Sequence, residues 1–401
     1  MSQVTPNQVA CASCGSAAMS EFYKVSSVPV HSVLLMRTRD KALSFPRGNI
    51  SLAKCSSCGF ISNAAFKPAS QEYAAGYEAT QAYSPTFNAF HKKLAERLIE
   101  RHGLHGKDIL EIGCGQGEFL VLLCELGGNR GIGFDPAYIR GRVQAKAQDR
   151  VTFINDFYSE NYAHYKADFV CCKMTLEHIP NPSEFLSAVR RSIGDRTDTI
   201  VFFQVPSVKR ILRELAFWDI YYEHCSYFGA ASLTQLFQQC DFEVLTIAEE
   251  YDDQYLRIEA KPVANPSRAD LWSAESPANE LEEDVAYFVQ NFQERIDTWR
   301  ERLLDFKGSG ARVIVWGSSS KAVAFLTTLR VGGEVDYVVD INPFRQGTYI
   351  PGTGHKIVAP GFLREFEPDV VIVMNPIYRD EIEGDLREMD LATSTIISVD
   401  Q

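Results

Sequence analysis

Residues Ile109 to Leu120 read Ile-Leu-Glu-Ile-Gly-Cys-Gly-Gln-Gly-Glu-Phe-Leu. A short apolar run ends at an acid, passes through glycines at alternate positions, and becomes apolar again. This order predicts a buried strand, a tight turn and a helix. Glycine enters backbone regions closed to other residues and lets a ligand approach with no Cβ in the way. An acid at the strand end, Glu111, suits a ligand that carries positive charge. Alone, Gly-x-Gly-x-Gly also fits a purely structural turn, so the flanking chain has to decide.

Downstream the pattern alternates between β and α. Gly131–Phe134 is a short apolar strand ending in Asp135-Pro136, and Val151–Ile154 is a third, ending in Asn155-Asp156-Phe157. Asp168–Cys172, Thr199–Phe203, Phe242–Leu245 and Gln254–Ile258 complete seven. An acid after the second strand of such a sheet accepts from ribose hydroxyls. An amide or carboxylate after the third can meet an adenine amino group, and an aromatic can stack on its ring. The turn lacks the Gly-x-Gly-x-x-Gly spacing that admits a pyrophosphate. Ribose, adenine and a cation without pyrophosphate describe S-adenosylmethionine. The expected cofactor contacts are Glu111, Gly113, Cys114, Gly115, Gly117, Phe119, Asp135, Pro136, Asn155, Asp156 and Phe157.

The formal charge of -12 argues against nucleic-acid or anionic-membrane partners. The start of the chain is polar, no stretch approaches the length of a bilayer span, and a cytoplasmic location is expected. The 10 cysteines are then thiols or metal ligands. Cys11-Ala-Ser-Cys14-Gly15 and Cys55-Ser-Ser-Cys58-Gly59 form two Cys-x-x-Cys-Gly knuckles, the sulfur set of a structural zinc site. With four ligands, such a site has no open position for catalysis. A redox pair is the competing reading, but neither knuckle has a strand-to-helix setting. The insert between them, with Val28–Val30 and Asn49–Leu52, predicts a few strands over the metal.

Ahead of the main domain, Phe87, Phe90, Leu94 and Leu98 recur at helical spacing. After it, Pro266 and Pro277 interrupt the chain, and Leu281, Val285, Phe288, Phe292, Ile296, Trp299 and Leu303 predict a long amphipathic bridging helix. A second α/β unit follows, with strands Arg312–Trp316, Tyr337–Asp340 and Val370–Val373. It carries one glycine of the dinucleotide fingerprint, so NAD is not expected there. Ser318-Ser319-Ser320-Lys321 at a helix start could hold phosphate oxygens.

Three segments carry a resemblance: Glu111-Ile-Gly-Cys-Gly, Leu176-Glu177-His178-Ile179-Pro180, and Asp219-Ile220-Tyr221-Tyr222-Glu223-His224-Cys225-Ser226-Tyr227-Phe228. With the paired knuckles, they resemble the three-domain sugar C-methyltransferases of deoxysugar biosynthesis over nearly the whole chain. That family shows Tyr-His-Glu-His where this chain has Tyr221-Tyr222-Glu223-His224, and a Gly-Gly-Ser segment where it has Tyr251-Asp252-Asp253-Gln254-Tyr255. Both departures bear on which substrate is used. The implied fold is α/β: a class I, Rossmann-like, seven-stranded methyltransferase domain, a small N-terminal zinc-binding domain and a C-terminal Rossmann-like domain. The boundaries fall at 1–66, 67–262, 263–307 for the helical connector and 308–401.

Methylating carbon requires an enolate, hence a base titrating near neutrality, and histidine fits. The resemblance assigns His178, Tyr221, Glu223 and His224 to catalysis, with His224 as base. It also calls for a tyrosine ahead of the cofactor domain, for which Tyr73, Tyr77 and Tyr83 compete and Tyr77 is chosen. An aromatic core segment with a satisfied histidine remains the alternative for the Tyr-Tyr-Glu-His run. Asp340–Gly352 is similar to the family's loop in the last domain. Tyr222, Lys321, Arg345 and Tyr349 are thereby expected around a nucleotide-linked sugar, with plain scaffolding as the alternative. An O- or N-methyltransferase, or a non-catalytic binding protein of the same fold, remains open.

Overall fold

The computed structural model describes residues 10–68, 76–142, 147, 149–264 and 279–401. Pro266 and Pro277, and with them the early part of the connector, lie outside these residues, as does Tyr73. Three sheets organise the chain. The first begins with β1 (Met19–Pro29), β2 (Arg47–Cys55) and β3 (Ile61–Asn63), all antiparallel. The two knuckles meet at one end of it, where Met19 pairs with Cys55, and the strands expected between them are present and longer than their apolar cores suggested.

The central sheet contains β4 (Asp108–Ile112), β5 (Arg130–Phe134), β6 (Val151–Ile154), β7 (Phe169–Lys173) and β8 (Ile200–Pro206), all parallel. A two-residue strand, β9 (Ser226–Tyr227), leaves this region and pairs with β3, joining the zinc-knuckle sheet to the middle of the chain. β10 (Phe242–Glu250) and β11 (Tyr255–Pro262) then form an antiparallel hairpin, β11 lying against β8. The order β10-β11-β8-β7-β4-β5-β6 is that of a class I methyltransferase sheet. Between β4 and β7 the direction of winding reverses. In such sheets the crevice beyond the strands' carboxyl ends at that point receives the ligand.

Phe169, Cys171, Val201, Phe202 and Phe203 are fully buried, which is why these strands read as continuous apolar runs rather than alternating ones. Helix Pro85–His102 begins at Ser84, whose hydroxyl accepts from the Phe87 amide, and buries Phe87, Leu94 and Leu98. Helix Glu282–Gly308 presents Phe288 to Tyr23 of β1 and Trp299 to Phe325 of the last domain. One amphipathic stripe thus serves two cores. The third sheet is parallel throughout: β12 (Val313–Trp316), β13 (Tyr337–Val339), β14 (Ile357–Val358), β15 (Val370–Val373) and β16 (Thr395–Ser398), in the order β14-β13-β12-β15-β16. Among the described residues no helix is long and apolar enough to cross a membrane.

Candidate active site and metal centre

The knuckle sulfurs converge. Cys11 and Cys58 have Sγ atoms 3.7 Å apart, as do Cys14 and Cys55, and all four ligand atoms lie within 4.8 Å of one another. A tetrahedral zinc with bonds of about 2.3 Å has sulfur–sulfur edges of about 3.8 Å, so the donor set fits the ion. Three of the four cysteines are buried, and none lines the large cavity described next.

That cavity, of about 770 Å³, opens at the switch point of the central sheet. One wall is the glycine turn. Gly113 has φ +68° and packs so closely on Thr175 that a Cβ would stand 2.0 Å from its hydroxyl oxygen; Gly117, at φ +88°, meets Phe153 in the same way. A Cβ at Gly115 would meet nothing within 4 Å, so the backbone is bare there. Gly117 starts helix Glu118–Gly127 and does not line the cavity; Gly113, Cys114, Gly115 and Phe119 do.

Glu111 is 2% exposed, and burial pushes its carboxyl up to about 8 against the pull of Lys173. Its Oε2 has no hydrogen-bond partner among the described residues. A buried, unsatisfied acid facing a cavity fits a cationic ligand. Asp135 accepts from the amides of Gly115 (2.8 Å) and Ala137 (2.7 Å), which fixes it and neighbouring Pro136 at the rim. Asp156 accepts from the Phe157 amide and the Tyr162 hydroxyl, while Phe157 leaves 59% of its surface exposed beside the cavity. Asn155 turns away and donates to the Tyr138 carbonyl. Lys173, unremarked in the sequence, lines the same wall with its ammonium 4.2 Å from the Phe119 ring centroid and 2.9 Å from His91 Nε2.

The opposite wall holds the residues drawn from the two histidine motifs. The turn Leu176–His178 follows β7, and His178 Nδ1 donates to the Glu223 carbonyl (3.1 Å). The rings of His178 and His224 meet edge-on at 4.9 Å, and Tyr221 lies 4.0 Å from His224. Burial lowers both imidazoles and raises the Tyr221 phenol. His224 Nδ1 is buried without a partner, so this is not a core histidine with satisfied hydrogen bonds.

Glu223 does not reach the cavity. Its carboxylate accepts from the Ser32 amide (2.9 Å) and pairs with His31 Nδ1 (3.1 Å), anchoring the Tyr-Tyr-Glu-His segment on the N-terminal sheet. Tyr222 is also outside: its ring packs on Gly48 and its hydroxyl accepts from the Lys67 amide. Of the candidate tyrosines, Tyr77 and Tyr83 both line the cavity.

The third wall belongs to the last domain. Lys321 enters at the start of helix Ser320–Thr328 and pairs with Asp219; Arg345 lines the same region, donating to the Ser318 carbonyl (3.1 Å) and the Glu78 carbonyl. Tyr349 lies elsewhere, its amide bonded to Met36. Asp252 and Asp253 are exposed at a turn in which Tyr251 to Asp253 all have φ near +56°. The wall is built instead by their neighbour Gln254, which exchanges two hydrogen bonds with Asn375 (3.0 and 2.9 Å). Only the unusual segment between β10 and β11 hinted at this pair.

Two family models match the chain: a methyltransferase domain over residues 86–247 and a C-methyltransferase C-terminal domain over residues 259–399. The chain belongs to the three-domain C-methyltransferases. It is similar to the C-methyltransferase NovU of Streptomyces niveus, at 26% identity over 313 residues, or 74% of this chain and 73% of that protein. A ubiquinone biosynthesis O-methyltransferase of Escherichia coli is 28% identical over 106 residues, 25% of this chain and 43% of that protein. Among solved structures, magnesium protoporphyrin IX methyltransferase from Synechocystis PCC 6803 with bound SAH shares 18% identity at a TM-score of 0.35, over 44% of this chain and 84% of that one. The protein is thus an S-adenosylmethionine-dependent methyltransferase whose cysteine cluster suits a structural zinc.

Proposed function

We propose that this C-methyltransferase acts on a keto-sugar linked to a nucleoside diphosphate, with His224 removing the proton beside the ketone. The observation that carries the reading is that Glu111 and His224 line one cavity, so an acid suited to the cofactor's charge and an imidazole stand at the same space. Bound against Glu111, Gly113, Gly115, Asp135, Asp156 and Phe157, S-adenosylmethionine supplies an electrophilic methyl group.

The chain's own residues divide the remaining work. His224, neutral because burial disfavours its charged form, accepts the proton. Tyr221, kept protonated by burial, can donate to the developing enolate oxygen. His178, its Nδ1–H held by the Glu223 carbonyl, presents the rest of its ring to the cavity, and Tyr77 closes it from the N-terminal side. Glu223 acts at one remove, through the position it gives the segment. Lys321 and Arg345 bring positive charge to the far wall, where diphosphate oxygens would be received. Tyr222 and Tyr349, which do not line the cavity, are not contacts in this reading. Boundaries near residues 66, 262 and 307 are part of the same proposal, with β9 as a strand lent across the first.

The test supplies S-adenosylmethionine labelled with carbon-13 in its methyl group to the enzyme with a panel of nucleoside-diphosphate keto-sugars. The chemical shift of the transferred methyl reports its new neighbour. A methyl on carbon supports the reading; a methyl on oxygen or nitrogen selects the alternative chemistry.

A further inference from the structure

Lys173 has no task assigned above. It is the last residue of β7, where Cys172 pairs with Ile112, so it stands beside Gly113, the first residue of the glycine turn. It is 8% exposed and lines the cavity together with Glu111, His91 and Phe119. A buried ammonium is costly unless it is paired. The cations of the far wall have such a pair, since Lys321 and Arg210 both hold Asp219. Lys173 differs: among the described residues its ammonium donates to His91 Nε2 at 2.9 Å and lies 4.2 Å from the Phe119 ring centroid, with no carboxylate in hydrogen-bond contact. An ammonium has three donors, and His91 uses one of them.

His91 comes from helix Pro85–His102, ahead of the central sheet. Burial and the charge of Lys173 lower its imidazole, so the ring stays neutral and accepts at Nε2. It fixes the ammonium without neutralising it.

The amino-acid end of S-adenosylmethionine carries an ammonium and a carboxylate on one carbon. Glu111 suits the first and repels the second. Glu118, whose carboxylate accepts from the Thr80 hydroxyl at 2.6 Å, lines the same cavity and adds negative charge beside Glu111. A carboxylate brought to this wall therefore needs a cation. We propose that Lys173, steadied by His91, receives the carboxylate of the cofactor's amino-acid end while Glu111 receives its ammonium. This rests on placing the cofactor against Glu111, as under Proposed function, and makes no use of the sugar or of His224. Two opposite charges held on one carbon restrict how that end of the cofactor can turn.

Calorimetry tests this on the full-length protein and its Lys173→Met, Lys173→Arg and Glu111→Gln variants, with three ligands: S-adenosylhomocysteine, its decarboxylated analogue, which keeps the ammonium, and its deaminated analogue, which keeps the carboxylate. The quantity read for Lys173 is the ratio of affinities for S-adenosylhomocysteine and the decarboxylated analogue. Both carry the ammonium, so any change that a substitution makes in the charge of Glu111 cancels in the ratio. Binding of the decarboxylated analogue also shows that a variant is folded. Wild type should prefer S-adenosylhomocysteine about tenfold to a hundredfold, Lys173→Arg should keep most of that preference, and Lys173→Met should lose it to within about threefold. Should Lys173→Met fail to fold, Lys173→Gln gives the same ratio. A preference that persists in the folded Met or Gln variant, or one absent from wild type, overturns the proposal. Glu111→Gln should instead lose the preference for S-adenosylhomocysteine over the deaminated analogue. If that preference is unchanged while Lys173→Met behaves as expected, the carboxylate site stands and the placement of the ammonium on Glu111 is what fails.

Discussion

Glu111 combines stability and function in one side chain. In the unfolded chain its carboxyl ionises near 4.5, and in the folded protein burial holds the proton until about pH 8. The folded state therefore binds more protons between these values, and stability falls as pH rises through that window. Glu111→Gln should raise the melting temperature of the free protein at pH 8, by the equivalent of about 1–2 kcal/mol, and weaken S-adenosylmethionine binding about tenfold to a hundredfold by calorimetry. A parallel loss of stability and affinity would remove the idea of a charge kept for the cofactor. Gly113→Ala should be costly in both respects, since φ +68° and Thr175 each resist a Cβ; a melting temperature within a degree or two of wild type would contradict the close packing. Glu111, Asp135 and Asp156 were legible in the sequence because each stands at a strand end, where position alone dictates direction. Lys173 was not, since nothing local tells that the side chain ending an apolar run crosses to a neighbouring strand's ligand wall.

At the level of elements, the zinc-knuckle sheet is coupled to the catalytic segment. β3 pairs with β9, the Asn63 amide donates to the Cys225 carbonyl, and His31 and Ser32 hold Glu223. Removing the metal with a chelator, or substituting Cys55→Ser, should lower the melting temperature and reduce turnover at least tenfold while leaving S-adenosylhomocysteine affinity within about twofold, because these links lead from the knuckles to the catalytic segment and no knuckle cysteine lines the cavity. Loss of cofactor binding in step with the metal would show the coupling to be global instead. The knuckles themselves were plain from spacing. The pairing that gives them a route to His224 was not, since Ser226-Tyr227 is a two-residue strand with no alternation to read, and its partner lies far away in sequence. The seven central strands were readable because continuous apolar runs bounded by turn residues are what a sheet covered on both faces requires. The ends of the β10–β11 hairpin and its left-handed turn were not, since three successive non-glycine residues at positive φ run against local preference and are held by tertiary contacts such as Tyr251 to Tyr378.

Across the whole molecule, the cavity is a joint product of three regions, and no single one of them contains a complete site. Glu78 ties them together: its carboxylate holds Arg142 at 2.6 Å and Asn342 at 2.9 Å, and its carbonyl accepts from Arg345. Lys321→Ala should raise KM for a diphosphate-linked substrate about tenfold or more while leaving cofactor affinity unchanged, as measured by steady-state kinetics and calorimetry. A change confined to kcat would place the lysine at the chemistry and not at the diphosphate. Which walls face one another could not be read from the chain, because that depends on how the long helix sets two cores apart. The central claim, that this cavity makes a carbon nucleophile with His224 as base, is tested most directly by proton exchange without methyl transfer. With S-adenosylhomocysteine bound and a nucleoside-diphosphate keto-sugar in deuterium oxide, wild type should exchange the hydrogen beside the ketone and His224→Ala should not. Exchange at an equal rate in both proteins, or methyl transfer by wild type with that hydrogen fully retained, would contradict it.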